Sequence, residues 1–191
     1  MRSRSLIHTL VLFAIVLFVG IGCGPRWQVV RQASPNPLAG ASKFALEPVH
    51  YESIVIGGKS DADYSAGKDE KERASWMEDK RGTDVAFTSE LQARGEGLMF
   101  SGMPPADQQT FIVRTSVVFW EPGYYAAVAA RDSEMRINVQ IIGPAGVIDE
   151  FNVYSRIVAT LYNPSTGGRM RSAGKDIGAV VASYLKKRVG G

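Results

Sequence analysis

The stretch "MRINVQII", residues 135–142, alternates without interruption. Met135, Ile137, Val139 and Ile141 fall on one side, Arg136, Asn138 and Gln140 on the other. That is the period of a strand with one buried face. Gly143-Pro144-Ala145-Gly146 follows as a turn. "VIDEFNVYSRIVATL", residues 147–161, then returns, with Phe151, Val153 and Ile157 set against Glu150, Asn152, Tyr154 and Arg156. Two alternating runs around a Gly/Pro turn predict an antiparallel hairpin closed at Pro144-Ala145.

Working outward, "TFIVRTSVVFW" (110–120) predicts a third strand ending at Glu121-Pro122-Gly123. Phe111, Val113, Thr115, Val117 and Phe119 alternate there with Ile112, Arg114, Ser116, Val118 and Trp120. "KFALEPVHYESIVIGG" (43–58) predicts a fourth strand, which Pro48 confines to an edge or a bulge. Residues from about 70 to 94 predict a helix with Met77, Val85, Thr88 and Leu91 near one face and Phe87 beside them. Gly82 weakens its middle. "SAGKDIGAVVASYLKKR" (172–188) predicts a last helix that packs through Ile177, Val180, Val181, Tyr184 and Leu185. Its Lys186, Lys187 and Arg188 complement the helix dipole. The expected fold is therefore α+β in the order β-α-β-β-β-α: a two-layer sandwich of a four-stranded antiparallel or mixed sheet with two helices on one face.

The chain has 191 residues and opens with Arg2 and Arg4 before an almost wholly apolar run, Leu6 to Gly22. A basic start, an apolar middle and small residues at the end read as an export signal over 1–22, with a single-span anchor as the alternative. The sole cysteine, Cys23, stands where the run breaks off. Without residues 1–22 the net charge falls from +3 to +1. No basic stripe is left to suggest nucleic acid. Residues 23–42, rich in Pro, Gly and Ser, read as a linker holding a domain over 43–191 about 25 Å from the membrane. Trp27-Gln28-Val29-Val30 is the exception, suited to an edge strand or to the bilayer surface.

Several motifs invite chemistry. "IGGKS" (56–60) follows a strand but lacks the first Gly of a phosphate loop, since Ser53 occupies that place. In "DADYSAGKDEKE" (61–72), Asp61, Asp63, Ser65, Asp69 and Glu72 fall at places 1, 3, 5, 9 and 12 of a calcium loop. Ala66 replaces its glycine and Lys68 its apolar residue, so the competing reading is a solvated loop leading into a helix. Gly168, Arg169 and Arg171 precede the last helix and would suit a small anion, against a plain turn capped by Ser172. Trp120, Tyr124 and Tyr125, at a strand end, would anchor a partner or close their own core. His50 is the only histidine after the signal. Asp149 and Glu150, on adjacent strand positions, point to opposite faces and cannot converge as acid and base. The residues thus imply no enzyme and no cofactor.

Val19-Gly20-Ile21-Gly22-Cys23 resembles a bacterial lipoprotein signal, which implies cleavage before Cys23 and lipidation of its thiol. That signal, together with β-α-β-β-β-α and a carboxyl-terminal "IGAVVASYLKKR", resembles small periplasmic lipoproteins of unknown function. More distantly it is similar to envelope-assembly and secretion auxiliary lipoproteins. The resemblance implies a non-catalytic docking or assembly module in the bacterial cell envelope, anchored by lipid to the outer membrane, facing the periplasm and meeting an envelope protein. The alternative is a periplasmic module binding calcium or a small anion.

Overall fold

The structure, a computed structural model, describes residues 26–102, 110–126 and 128–191. The predicted signal and Cys23 lie outside them. The hairpin forms as expected. Strand β9 (Ser133–Gly143) pairs antiparallel with β10 (Gly146–Ile157), Gly143 opposite Gly146. Met135, Ile137, Val139, Ile141, Phe151 and Val153 are all buried. A bulge at Ile148, between the pairs Val147–Ile142 and Asp149–Ile141, sets Asp149 on the buried side.

Strand β6 (Phe111–Glu121) pairs antiparallel with β9. Its own bulge, between Val117 and Phe119, reverses the alternation. Val113, Thr115 and Val117 point inward before it and Trp120 after it. Phe119 is left half-buried under the Arg136 guanidinium, 4.9 Å from the ring centre.

Residues 43–56 run parallel to β6 in pieces: β2 (Lys43–Leu46), a single bridge at His50, and β3 (Val55–Ile56). Pro48, with no N–H to give, lies in the first interruption. Gly57 and Gly58, both at positive φ, turn β3 into β4 (Lys59–Ser60). This glycine pair is a hairpin turn, and no phosphate cradle forms there. β5 (Met99–Ser101) lies parallel to β2 at the far edge.

The expected four strands are the middle of a larger mixed sheet. Among the described residues it has eight strands: β1 (Trp27–Gln32), β10, β9, β6, β2 and β5 follow one path, β3 is attached to β6, and β4 to β3. The further strand at the near edge is β1, antiparallel to β10. The linker reading of 23–42 therefore does not hold from Trp27 onward, and the edge-strand exception does. Beyond β1, the Asn36 amide donates to the Arg188 carbonyl at 2.6 Å, and Gly40 N–H to the Val189 carbonyl at 3.0 Å. Leu38 is fully buried. The segment folds down because it satisfies carbonyls that a helix end leaves open.

Among the described residues three helices form, where two were expected. α1 (Asp61–Ala66) is capped by Ser60. α2 (Glu70–Arg94) opens with a capping box between Asp69 and Glu72. α3 (Thr166–Val189) is capped by Ser165, about two turns before the predicted cap at Ser172. In α3, Ile177, Val180, Val181, Tyr184 and Leu185 are buried as expected. In α2 the buried face is Trp76, Lys80, Thr83, Phe87 and Leu91, while Met77 and Val85 are exposed. Here burial follows the position of α3, not hydrophobicity alone. Gly174 and Gly178 let the two helices close on each other. A Cβ at Gly174 would stand 2.7 Å from the Thr83 carbonyl, and one at Gly178 2.6 Å from that of Phe87. Both long helices cover the same face of the sheet, over one core. No helix among the described residues is long and apolar enough to cross a membrane.

Candidate functional site

The five oxygen-bearing residues of the calcium spacing do not converge. Asp61, Asp63 and Ser65 lie in α1, and each acid is already engaged. Asp61 accepts from Trp76 Nε1 at 2.8 Å and from Lys80 Nζ at 2.6 Å. Asp63 accepts from Ser60, and Asp69 and Glu72 cap α2. The buried Lys80 ammonium also lies over the Trp76 ring and beside the Tyr51 ring, so this corner clamps α1 onto α2. Among the described residues no group of three or more His, Cys, Asp or Glu is placed to hold a metal ion.

The anion triad is likewise consumed within the fold. Gly168 N–H donates to its cap, Ser165 Oγ. Arg171 pairs with Asp79 at 3.2 Å, and burial nonetheless raises the Asp79 carboxyl above the ordinary range. Arg169 is fully buried and meets no carboxylate among the described residues. Its guanidinium donates to Ser133 Oγ at 2.7 Å, to the Pro122 carbonyl at 2.9 Å, and to the carbonyls of Asn163 and Pro164. Desolvation lowers its pKa. A planar fork of donors suits this task, joining three chain segments through oxygens that carry no net charge.

Trp120 is fully buried and belongs to the core, so it is not an exposed anchor. Tyr124 and Tyr125 lie on a separate two-stranded ribbon, β7 (Tyr124–Ala126) with β8 (Ala129–Arg131). Tyr124 is exposed, and Val128 at the ribbon tip is 97% exposed. At the same end of the sheet, beyond β10, residues 160–163 make a tight turn closed by Asn163 N–H to the Thr160 carbonyl at 3.1 Å. Its central residues, Leu161 and Tyr162, are 70% and 95% exposed, and Val158 just before it is exposed too. Sequence reading missed this cluster. Its signal was "VATLY", an apolar run where a strand end should turn polar.

The sheet face away from the helices carries the polar set. Glu47 accepts from Arg114 at 2.6 and 3.1 Å and contacts His50 Nε2 at 3.2 Å, while His50 Nδ1 lies 3.4 Å from Glu52. The Arg114 guanidinium holds the Glu47 carboxyl below its ordinary value, against an opposing push from burial. This string was not apparent from the sequence, because the pairing of 43–56 along β6 assembles it. Nearer β1, a shallow trough of about 760 Å³ is lined by Gln28, Val118, Arg136, Asn152 and Tyr154. Asn138 spans Glu150 and Asn152 beside it.

Asp149 and Glu150 do point to opposite faces. Asp149 is fully buried and accepts from Ala33 N–H at 3.0 Å, Tyr184 Oη–H at 2.8 Å, and Arg188 at 2.7 and 3.1 Å. Burial and the nearby carboxylate raise the Tyr184 phenol pKa. Arg188 is therefore an ion-pair partner inside the fold as well as a basic residue at a helix end.

No protein-family model matches the chain, and no curated protein matches it. Solved structures do. The PelC dodecamer from Paraburkholderia phytofirmans matches at TM-score 0.43 and 12% identity, over 81% of this chain and 96% of that one. Protein XCC0632 from Xanthomonas campestris, assigned to DUF330, matches at TM-score 0.46 and 8% identity, over 84% and 93%. A putative neuraminyllactose-binding hemagglutinin homolog from Helicobacter pylori matches at 0.34 and 13%, over 82% and 85%. Likenesses this distant say nothing of a shared activity.

Proposed function

We propose that the protein is a lipid-anchored, non-catalytic docking module of the bacterial cell envelope. The observation that carries this reading is the sheet face left open by both long helices. It presents a row of amide, guanidinium and phenol groups across β1, β10 and β9 beside a shallow trough, a surface suited to another protein. The acids that the sequence singles out are used within the fold: Asp61 holds Trp76 and Lys80, Asp69 and Glu72 cap α2, and Asp149 pairs with Arg188. Cys23 after an apolar run supplies the anchor, and acylation by two or more chains holds a protein stably on a bilayer.

Two measurements test this. The chain expressed in a bacterium should incorporate labelled palmitate, and Cys23→Ser should abolish it. Incorporation surviving in that variant rules Cys23 out as the acceptor. A photo-crosslinking residue at Asn152, on the open face, should capture a discrete envelope protein in intact cells, and the same residue at Met77, on the exposed side of α2, should not. Equal capture at both positions, or at neither, defeats the docking face.

A further inference from the structure

The exposed apolar side chains fall into two kinds. Those on β1, β3, β5, β10 and α2 are scattered over the surface, as on any protein. Tyr124, Val128, Val158, Leu161 and Tyr162 instead gather on two projections at one end of the sheet. Both projections rise from one base. Arg169 binds the carbonyls of Pro122, before the ribbon, and of Asn163 and Pro164, at the turn. Asp132, just after the ribbon, accepts Ala159 N–H at 3.1 Å and Arg156 at 2.9 Å. Backbone and hydrogen-bonded groups thus hold Leu-Tyr at the tip of a turn, a place that polar and glycine residues normally fill.

The path of the chain identifies what meets these tips. β1 runs antiparallel to β10, with Trp27 opposite Val153. The amino end of β1 therefore points toward the end where β10 stops and the 160–163 turn begins. Cys23 precedes Trp27 by only four residues, a reach of at most about 14 Å. The end of the molecule that carries the apolar tips is consequently within reach of a lipid on Cys23. Tyrosine and leucine at such a place match the bilayer interface, where an amphipathic ring sits among headgroups and an aliphatic side chain enters the acyl boundary. Arg131 and Arg156 flank the tips with exposed side chains, each paired to an acid, so the apolar residues and not a basic field would provide the contact.

We infer that the β7–β8 tip and the 160–163 turn are the seat by which the protein rests on the leaflet holding its Cys23 lipid. This rests on the lipoprotein reading above. It deepens that reading by fixing the orientation: the strands stand up from the membrane, and the open sheet face looks sideways along it.

The test uses the full chain, acylated in a bacterium and reconstituted into phosphatidylethanolamine–phosphatidylglycerol vesicles. Acylation consumes the only native thiol, so Tyr162→Cys, Val128→Cys and, as the opposite-end control, Ala145→Cys each carry one environment-sensitive fluorophore. Nitroxide lipids should quench the probes at 162 and 128 several-fold more than the probe at 145. Equal quenching at all three positions in acylated, vesicle-bound protein overturns the seat and leaves the anchor standing. So does a probe at 162 that is shielded before lipid is added and becomes exposed on dilution, because the tips would then meet another copy of the chain. Absence of palmitate on Cys23 overturns the anchor and the seat together.

Discussion

Gly178→Ala should destabilise the protein although alanine is the better helix former. In an open helix the exchange gains about 1 kcal/mol. Here the new Cβ would stand 2.6 Å from the Phe87 carbonyl oxygen and 3.1 Å from Leu91 N, both backbone atoms of α2. Neither can rotate away, so the helices must part. A separation of roughly 0.5–1 Å forfeits a quarter to a half of the dispersion across the contact. Overpacking of this kind costs about 1–3 kcal/mol, so after the propensity gain the net expectation is a loss of up to about 2 kcal/mol. For a chain of this size that lowers Tm by up to roughly 8 °C. Gly82→Ala is the matched control. Its Cβ would meet only the flexible Arg171 side chain, Cδ nearest at 3.0 Å, so the propensity gain should survive and stability should rise by up to about 1 kcal/mol. Urea melts at constant m-value measure both. If Gly178→Ala stabilises as Gly82→Ala does, the close approach of the helices is refuted. Adding Gly174→Ala should cost less than it does alone, because the same parting of the helices relieves both clashes.

Three further outcomes are expected. Asp149→Ala leaves Arg188 and the buried Tyr184 hydroxyl without their partner and should cost about 3–5 kcal/mol by urea titration; a loss under 1 kcal/mol would mean that water replaces the carboxylate. Arg169→Lys should cost about 2–4 kcal/mol, since a point charge cannot reach the four oxygens the guanidinium spans, and unchanged stability would show the fork to be dispensable. The Glu47 carboxyl is depressed below its ordinary 4.5, so its pair with Arg114 stabilises the fold at neutral pH and weakens as pH falls through the folded value; the stability gap between wild type and Glu47→Gln should be flat above about pH 5 and close below it, and a gap that widens on acidification contradicts that sign.

The hairpin and the buried face of α3 were legible because each carries a clean period in its own residues. What the sequence hid depends on partners far along the chain. Asp149 stands in register with Phe151 and Val153, and an inward acid between apolar neighbours already asks for a buried cation. The answer, Arg188, looked like an ordinary helix-end charge. The buried face of α2 was misread because Lys80 and Thr83 face inward while Met77 and Val85 face water. The lysine is held there by Asp61 and two aromatic rings, and Thr83 sits inside because a glycine of α3 lies against it. Trp120 moved from candidate anchor to core through one bulged residue, which no alternation pattern shows. Residues 31–42 looked like a tether because Pro, Gly and Ser recur among them, yet the same composition suits a segment that stops a helix end. The apolar turn at 160–163 passed for the tail of a strand.

The pairing of β1 has a consequence in time. Its neighbour β10 is made late in synthesis, and the clasp that closes this edge joins Ala33 to Asp149 and to Arg188, 116 and 155 residues further on. As the chain emerges from its amino end, the first strand finds no partner until β10 has followed, and its clasp waits further for Arg188 near the end of the last helix. Contacts of such separation form slowly, because their loop entropy is spent before they return anything. The β9–β10–α3 unit can assemble from neighbouring residues meanwhile, with the β10 edge uncovered. Folding of this protein should therefore run backward along its sequence, the amino-terminal strand arriving last to close an edge that would otherwise pair with another chain.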